Sequence, residues 1–327
     1  LASDIPTFAH ALGAGGYETV LCGRMHFMGP DQRHGFHQRI AGDVADYTHP
    51  GTGRGPNFVN IHPASCGQTG RGVPEAGPGR SNYMAYDVCV TEACTQWLMQ
   101  RGAEGRDEPF CLVAGFVLPH CPFIAPKELF DYYYQILPLP EMPPGYLESM
   151  PPAMQAWRKS RQVCDLTDEE IRRARAGYYG VVEFFDGLIG QVLSALHASG
   201  LAEDTIVVYT SDHGESAGEN GLWWKSQFYE HGVGVPMIWS GPGLPAGQVR
   251  AEVVSLLDLG PTLAELTGSP PMPAVSGRRL TALLQGDVTT WPNEAAAELI
   301  GLGDYIPGKM IRRDQWKLIH YEGYEPI

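Results

Sequence analysis

No stretch of about 18 consecutive apolar residues occurs anywhere in the 327-residue chain, so no segment reads as an uninterrupted bilayer span. Positive charge is scarce. Lys and Arg number 23 against 37 Asp and Glu, a net charge of −14, which argues against a protein that coats nucleic acid. It leaves room for an anionic small molecule, because a local cationic pocket can sit inside an acidic shell. The seven cysteines, at 22, 66, 89, 94, 111, 121 and 164, are an odd, scattered set without a CxxC pair, so free thiols are expected in place of a disulfide framework. No charged segment followed by an apolar one reads as a signal peptide, and the expected location is cytoplasmic. Internal repeats and low-complexity tracts are also missing.

What is present is enough apolar material for a sizeable core: 43% hydrophobic residues against 18% charged. The length fits one large domain, residues 1–292, followed by the start of a small α+β subdomain over 293–327. A helix is expected over 4–14 and a strand over 17–22, followed by a polar loop over 23–36. Residues 48–81, rich in Gly and Pro, read as an irregular excursion. A helix over 82–101 precedes an apolar run over 110–118, the signature of a strand buried on both faces. After a Pro-rich loop over 138–152, apolar residues at 178, 181, 182, 185, 188, 189, 192, 193 and 196 follow the 3.6 period and define a helix over 170–198. Strands over 205–210 and 235–239, a helix over 256–267 and a hairpin of 309–313 with 316–321 complete the pattern. This rhythm predicts a three-layer α/β/α sandwich with a mostly parallel central sheet and a small antiparallel C-terminal unit.

Ligand sites in open parallel sheets lie just beyond the carboxyl ends of the strands. Asp212 and His213 stand there, after the 205–210 strand, and offer an oxygen and an imidazole nitrogen to one divalent cation. A helix-capping Asp beside a surface His is the simpler alternative. Lys225 next to Trp223 and Trp224 suits an anionic ester, with the indoles as a cradle for a quaternary ammonium group. The alternatives are a Lys lying over a Trp and indoles packed in the core or rim. Arg24 and His26 follow the first strand and His120 the 110–118 strand. Three strand ends thus supply His26, His120, Asp212, His213 and Lys225, five ionisable groups of complementary chemistry.

These residues carry a resemblance to the sulfatase family of the alkaline-phosphatase superfamily. It rests on an ordered set: Gly16, Tyr17 and Thr19; Gly23, Arg24, Met25 and His26; His120, Pro122 and Phe123; Ser211, Asp212, His213, Gly214 and Glu215 with Lys225; Val235 and Pro236; Asp258 to Thr262; and Gly277 to Leu280. The string Met25, His26, Phe27, Gly29, Pro30, Asp31, Gln32, His34, Gly35, Phe36 is similar to the choline sulfatase and phosphonate monoester hydrolase branch.

The resemblance implies hydrolysis of a sulfate monoester with one divalent cation, Ca²⁺ in the first place and Mn²⁺ or Mg²⁺ as alternatives. It makes Asp212 and His213 metal ligands, Lys225 and His120 the groups that hold the sulfate and protonate the departing oxygen, and His26 the base that helps release sulfate. Arg24 stands where the family usually has Lys, which keeps the charge but not a proton donor. Substrate contacts would be Lys225, His120, Trp223 and Trp224. The family's formylglycine motif, C/S-x-P-S-R, and its paired-Asp metal motif are not in the sequence; both precede this region in relatives, so the nucleophile is expected upstream of residue 1. The implied partner is a small-molecule sulfate ester, with homo-oligomers as a further implication. Two other readings stay open: a phosphonate monoester or phosphodiester hydrolase on the same scaffold, and a non-catalytic metal-binding or interaction fragment.

Overall fold

A computed structural model of the chain describes residues 2–44, 68, 70–300 and 306–327. Most of the 48–81 excursion, Cys66 included, lies outside the described residues. Helix α1 (Phe8–Ala14) starts later than its sequence pattern predicts, because the Thr7 N–H donates to His10 Nδ1 at 3.1 Å and closes the first turn there. Strand β1 (Glu18–Gly23) follows and pairs in parallel with β2 (Gln38–Ala41). The short β3 (Gly77–Pro78) leads into α2 (Asn82–Glu104), capped by Ser81, whose hydroxyl accepts the Met84 N–H at 3.2 Å, and ended by left-handed Gly105. Strand β4 (Phe110–Gly115) lies parallel on the other side of β1, in register from Glu18 against Phe110 to Gly23 against Gly115. The apolar run predicted a strand to residue 118; it stops at Gly115, and the Val117 and Leu118 N–H groups turn to the Asp87 carboxylate.

Alternation across these strands makes the layers. Leu21 and Val113 face α1, where they pack with Ala9 and Phe36. Cys22, Leu112 and Ala114 face the opposite way, onto Val90 and Cys94 of α2. β5 (Ile124–Ala125) pairs with β3 and α3 (Lys127–Ile136) follows; the stretch read as loop over 138–152 holds the short α4 (Tyr146–Ser149) and ends where α5 (Pro152–Ser160) begins. Helix α6 (Asp168–Ala198) has a capping box: Thr167 Oγ1 accepts the Glu170 N–H at 3.2 Å, and Glu170 accepts the Thr167 N–H at 2.8 Å. By length and composition it could cross a membrane; here it packs beside α2 and α3 and buries Val181, Phe185 and Leu188.

Strand β6 (Val207–Thr210) rests on the same helices as β4, since Phe110, Leu112 and Val207 all contact the Leu98, Ala195 and Leu196 cluster. Among the described residues no ladder joins β6 to β4. After α7 (Glu230–Val233), β7 (Met237–Ser240) runs antiparallel to β6, so the central layer is parallel through β2, β1 and β4 and antiparallel at this edge. Helix α8 (Leu259–Leu266) packs on α1, and α9 (Thr281–Leu284) follows. Strands β8 (Glu294–Leu299), β9 (Gly308–Arg313) and β10 (Trp316–Tyr321) form a separate antiparallel sheet. That sheet shares a core with the body of the protein: Met310, Ile319 and Tyr321 join Trp223, Trp224 and Phe228 in one buried cluster.

Candidate active site

Three loops leave the carboxyl ends of β1, β4 and β6, and backbone proximity fixes where they start. Gly23 and Gly115 face each other at the ends of β1 and β4, and the Arg24 N–H donates to the Gly115 carbonyl at 2.7 Å. A Cβ on Gly115 would lie 1.8 Å from the Arg24 carbonyl oxygen, so only glycine permits this approach. From there the Arg24 guanidinium reaches His26, NH2 to Nδ1 at 3.3 Å. A guanidinium only donates, so Nδ1 accepts and the neutral ring carries its proton on Nε2. His26 itself has φ +55, and the Asp43 carboxylate accepts the Met25 and His26 N–H groups at 3.2 and 2.8 Å.

The second loop holds His120. Asp87, fully buried in α2, accepts the Val117 N–H at 3.0 Å and the Leu118 N–H at 2.8 Å. Burial pushes its carboxyl up to about 7, against the pull of those two hydrogen bonds and of Arg24. His120 Nδ1 donates to the Cys121 carbonyl at 2.7 Å, which leaves the Nε2 lone pair for the site. Burial lowers the His120 pKa to about 4, and the positive charges of Lys225 and Arg24 push the same way. Tyr83 stands edge-on to its ring at 5.6 Å.

The third loop carries Asp212, His213 and Lys225. Gly214 is needed there for space, because a Cβ would lie 2.1 Å from the His231 carbonyl oxygen. Glu215 accepts the Ala217 and Trp224 N–H groups at 3.0 and 2.6 Å, drawing the two ends of the 215–224 excursion together. Lys225 Nζ consequently lies 2.9 Å from His213 Nε2, whose Nδ1 donates to the Gly214 carbonyl at 2.8 Å. Asp212 Oδ1 is 3.6 Å from the same Nε2. Burial lowers the His213 pKa, and Lys225 adds to the effect against the opposing charge of Asp212.

The loops meet. Burial and Arg24 lower the His26 pKa, and the charges of Lys225 and Asp212 also act on it; Lys225, Arg24 and His213 act on His120. Arg24, His26, His120, Asp212, His213 and Lys225 therefore share one electrostatic environment, with cations around imidazoles that are held neutral. Asp212 Oδ1 and His213 Nε2 are two donors of the right chemistry for a divalent cation, but with Nδ1 donating to Gly214 the Nε2 lone pair here accepts from the Lys225 ammonium, so it would join a metal shell only if Lys225 released it. Among the described residues no third His, Cys, Asp or Glu completes that shell.

The indoles are the exception. Trp223 and Trp224 are each 1% exposed and pack with Phe123, Trp157 and Phe228, so the cradle expected for a quaternary ammonium group is corrected: they support the loop from within. Asp43 and Asp87 are absent from the sequence reading, and Glu215 enters it only as part of a motif. Nothing in the sequence flags the two aspartates, since their partners lie 17 and 30 residues away and are backbone N–H groups.

The sulfatase sequence family matches residues 1–269. The chain is 35% identical to a choline-sulfatase of Rhizobium meliloti (strain 1021) over 97% of its length and 63% of that protein. It is 30% identical to arylsulfatase K of Mus musculus over 89% of its length and 56% of that protein. The chain thus spans less than two thirds of these relatives. Among solved structures, a phosphonate monoester hydrolase from Silicibacter pomeroyi superposes with a TM-score of 0.76 at 21% identity, covering 100% of this chain and 74% of its own. The layer order, the loops at the strand ends and the family match agree, and the chain belongs to the sulfatase family.

Proposed function

We propose that the full-length protein hydrolyses sulfate monoesters, with a nucleophile supplied by a segment preceding Leu1. The observation that carries this reading is the convergence of Arg24 and Lys225 on three neutral imidazoles at the ends of β1, β4 and β6. An anionic sulfuryl group placed there meets two fixed cations in a partly desolvated cleft, and such preorganised charge is usually the largest catalytic term. That no ladder joins β4 and β6 among the described residues, though both rest on one cluster, supports the idea that a further strand belongs beside the site.

A divalent cation held by Asp212 and His213, with further ligands from the segment proposed to precede Leu1, would offset the negative oxygens, and a formylglycine hydrate would supply the attacking oxygen. Ca²⁺ is the first candidate; the imidazole ligand keeps Mn²⁺ in the field. The chain's own groups do the rest. Arg24 and Lys225 orient the sulfuryl oxygens. Lys225, with three N–H donors, is placed to donate to the departing alcohol oxygen. His120 enters neutral, with its lone pair on Nε2, and an arriving anion favours its protonation. His26 presents Nε2–H while Arg24 occupies Nδ1, so proton acceptance by this ring requires release of the guanidinium.

The test is turnover of the full-length protein, matured to formylglycine, on aryl sulfate, choline O-sulfate, aryl phosphate and phenylphosphonate esters. The expected result is the highest kcat/KM on a sulfate. Preference for the phosphonate ester would overturn the substrate class. That second reading has one specific support, the likeness of fold to phosphonate monoester hydrolases, TM-scores 0.76 and 0.73.

A further inference from the structure

We propose that Asp43 is a positioning residue that acts through His26, an inference that rests on the hydrolase reading of the site. Its side chain is 2% exposed, at the end of β2 and 17 residues from the loop it serves. Oδ2 accepts the Met25 N–H at 3.2 Å and the His26 N–H at 2.8 Å, and Oδ1 accepts the Val44 N–H at 2.8 Å. Two consecutive amides aimed at one carboxylate oxygen hold His26 at φ +55, a left-handed conformation that a non-glycine residue adopts only when its surroundings impose it.

The frame behind this contact is itself rigid. Arg39 NH2 lies 3.5 Å from Asp43 Oδ2 and donates to the Gly23 carbonyl at 2.8 Å. Arg39 NH1 donates to the Gln32 carbonyl and to Gln32 Oε1, at 3.0 and 2.9 Å. Gln32 in turn donates to the Phe27 and Gly29 carbonyls at 2.8 and 2.7 Å. Arg39 therefore satisfies its hydrogen bonds on carbonyl acceptors, while the Asp43 carboxylate beside it both balances its charge and turns its oxygens to the Met25, His26 and Val44 N–H groups. What Asp43 supplies besides is the acceptor for the amides of residues 25 and 26. It fixes the backbone from which the His26 ring reaches Arg24, while the ring side chain stays exposed on the site.

The experiment is a double-mutant cycle in the full-length, formylglycine-bearing enzyme, with Asp43→Asn, His26→Ala and the pair, on an aryl sulfate. Asp43→Asn keeps the shape but replaces one acceptor oxygen by a donor. It is expected to lower kcat about 10–100-fold with KM changed less than about threefold, since small misplacements of a catalytic group act on turnover. In the His26→Ala background the same substitution should cost less than about twofold, because the partner it acts through is gone. Asp258→Asn is the structural control: its buried carboxylate accepts the Arg278 and Ser255 N–H groups at 2.7 and 2.8 Å, in another loop, and its effect should multiply through unchanged in both backgrounds. Equal losses from Asp43→Asn in both backgrounds overturn the proposal. Should that variant fail to fold, Arg39→Gln, which loosens the same carboxylate, is expected to show the same dependence on His26. A wild type inactive on sulfates defeats the hydrolase reading instead; amide hydrogen exchange then decides, with faster exchange at residues 25 and 26 in Asp43→Asn expected and unchanged exchange refuting.

Discussion

Replacing Asp87 by Asn should make the protein more stable and less active at pH 8. Asp87 is fully buried, and its carboxyl is raised from 3.8 to about 7 by burial. A raised folded pKa means that the folded state favours the protonated acid. This group's contribution to stability is then full below pH 3.8, falls as pH rises towards 7, and is flat above that. At 1.36 kcal/mol per unit, the loss across that window is about 4 kcal/mol. Asn cannot ionise and escapes it, while giving up one of two N–H acceptors, a cost of about 1–3 kcal/mol that protonated Asp also bears. Denaturant melts of both proteins from pH 4 to 8 should therefore start close together and separate by about 4 kcal/mol in favour of Asn. Taking the difference between the two proteins cancels every other titrating group. Parallel profiles would refute the reasoning, since they would mean that the Asp87 carboxyl ionises in the fold as readily as in the unfolded chain, its pKa not raised by burial. Turnover should move the opposite way, because the Val117 and Leu118 N–H groups that shape the His120 loop lose an ionised acceptor.

Other outcomes follow from single contacts. Lys225→Ala in the full-length enzyme should lower kcat on an aryl sulfate by about 10²–10³, the usual loss when one charge-stabilising donor is removed; steady-state kinetics checks it. Trp224→Phe should destabilise by about 1–3 kcal/mol, as expected of a core truncation, and leave KM for choline O-sulfate within about twofold. A large rise in KM would restore the indole to the substrate face. Thr167→Ala removes the capping hydroxyl of α6 and should cost about 1 kcal/mol in a urea melt without affecting turnover.

The legible part of the fold is the part written in local pattern. The 3.6 period from 178 to 196 located α6, and the apolar runs at 17–22, 110–118 and 205–210 located the three strands that carry the site. Their ends were less legible. β4 stops at Gly115, three residues short of its apolar run, because a carboxylate 30 residues earlier competes for the next amides. The two tryptophans illustrate the same limit. Beside Lys225 in sequence they read as substrate contacts, although core or rim packing is the commoner place for an indole, and side-chain direction, which sequence adjacency does not encode, put both inside.

By itself the sequence determined which elements form and which chemistry-bearing residues follow them, because hydrophobic period and residue type are local properties. It identified Arg24, His26, His120, Asp212, His213 and Lys225 as residues that stand after strand ends. Only the tertiary structure decided that these six share one field, that Arg24 claims the Nδ1 of His26, and that Lys225 lies 2.9 Å from His213. It alone also revealed that Asp43, Asp87 and Glu215 hold the three loops in place. Desolvation and hydrogen bonding between segments far apart in the chain exist only once the layers have closed, so no local pattern can announce them.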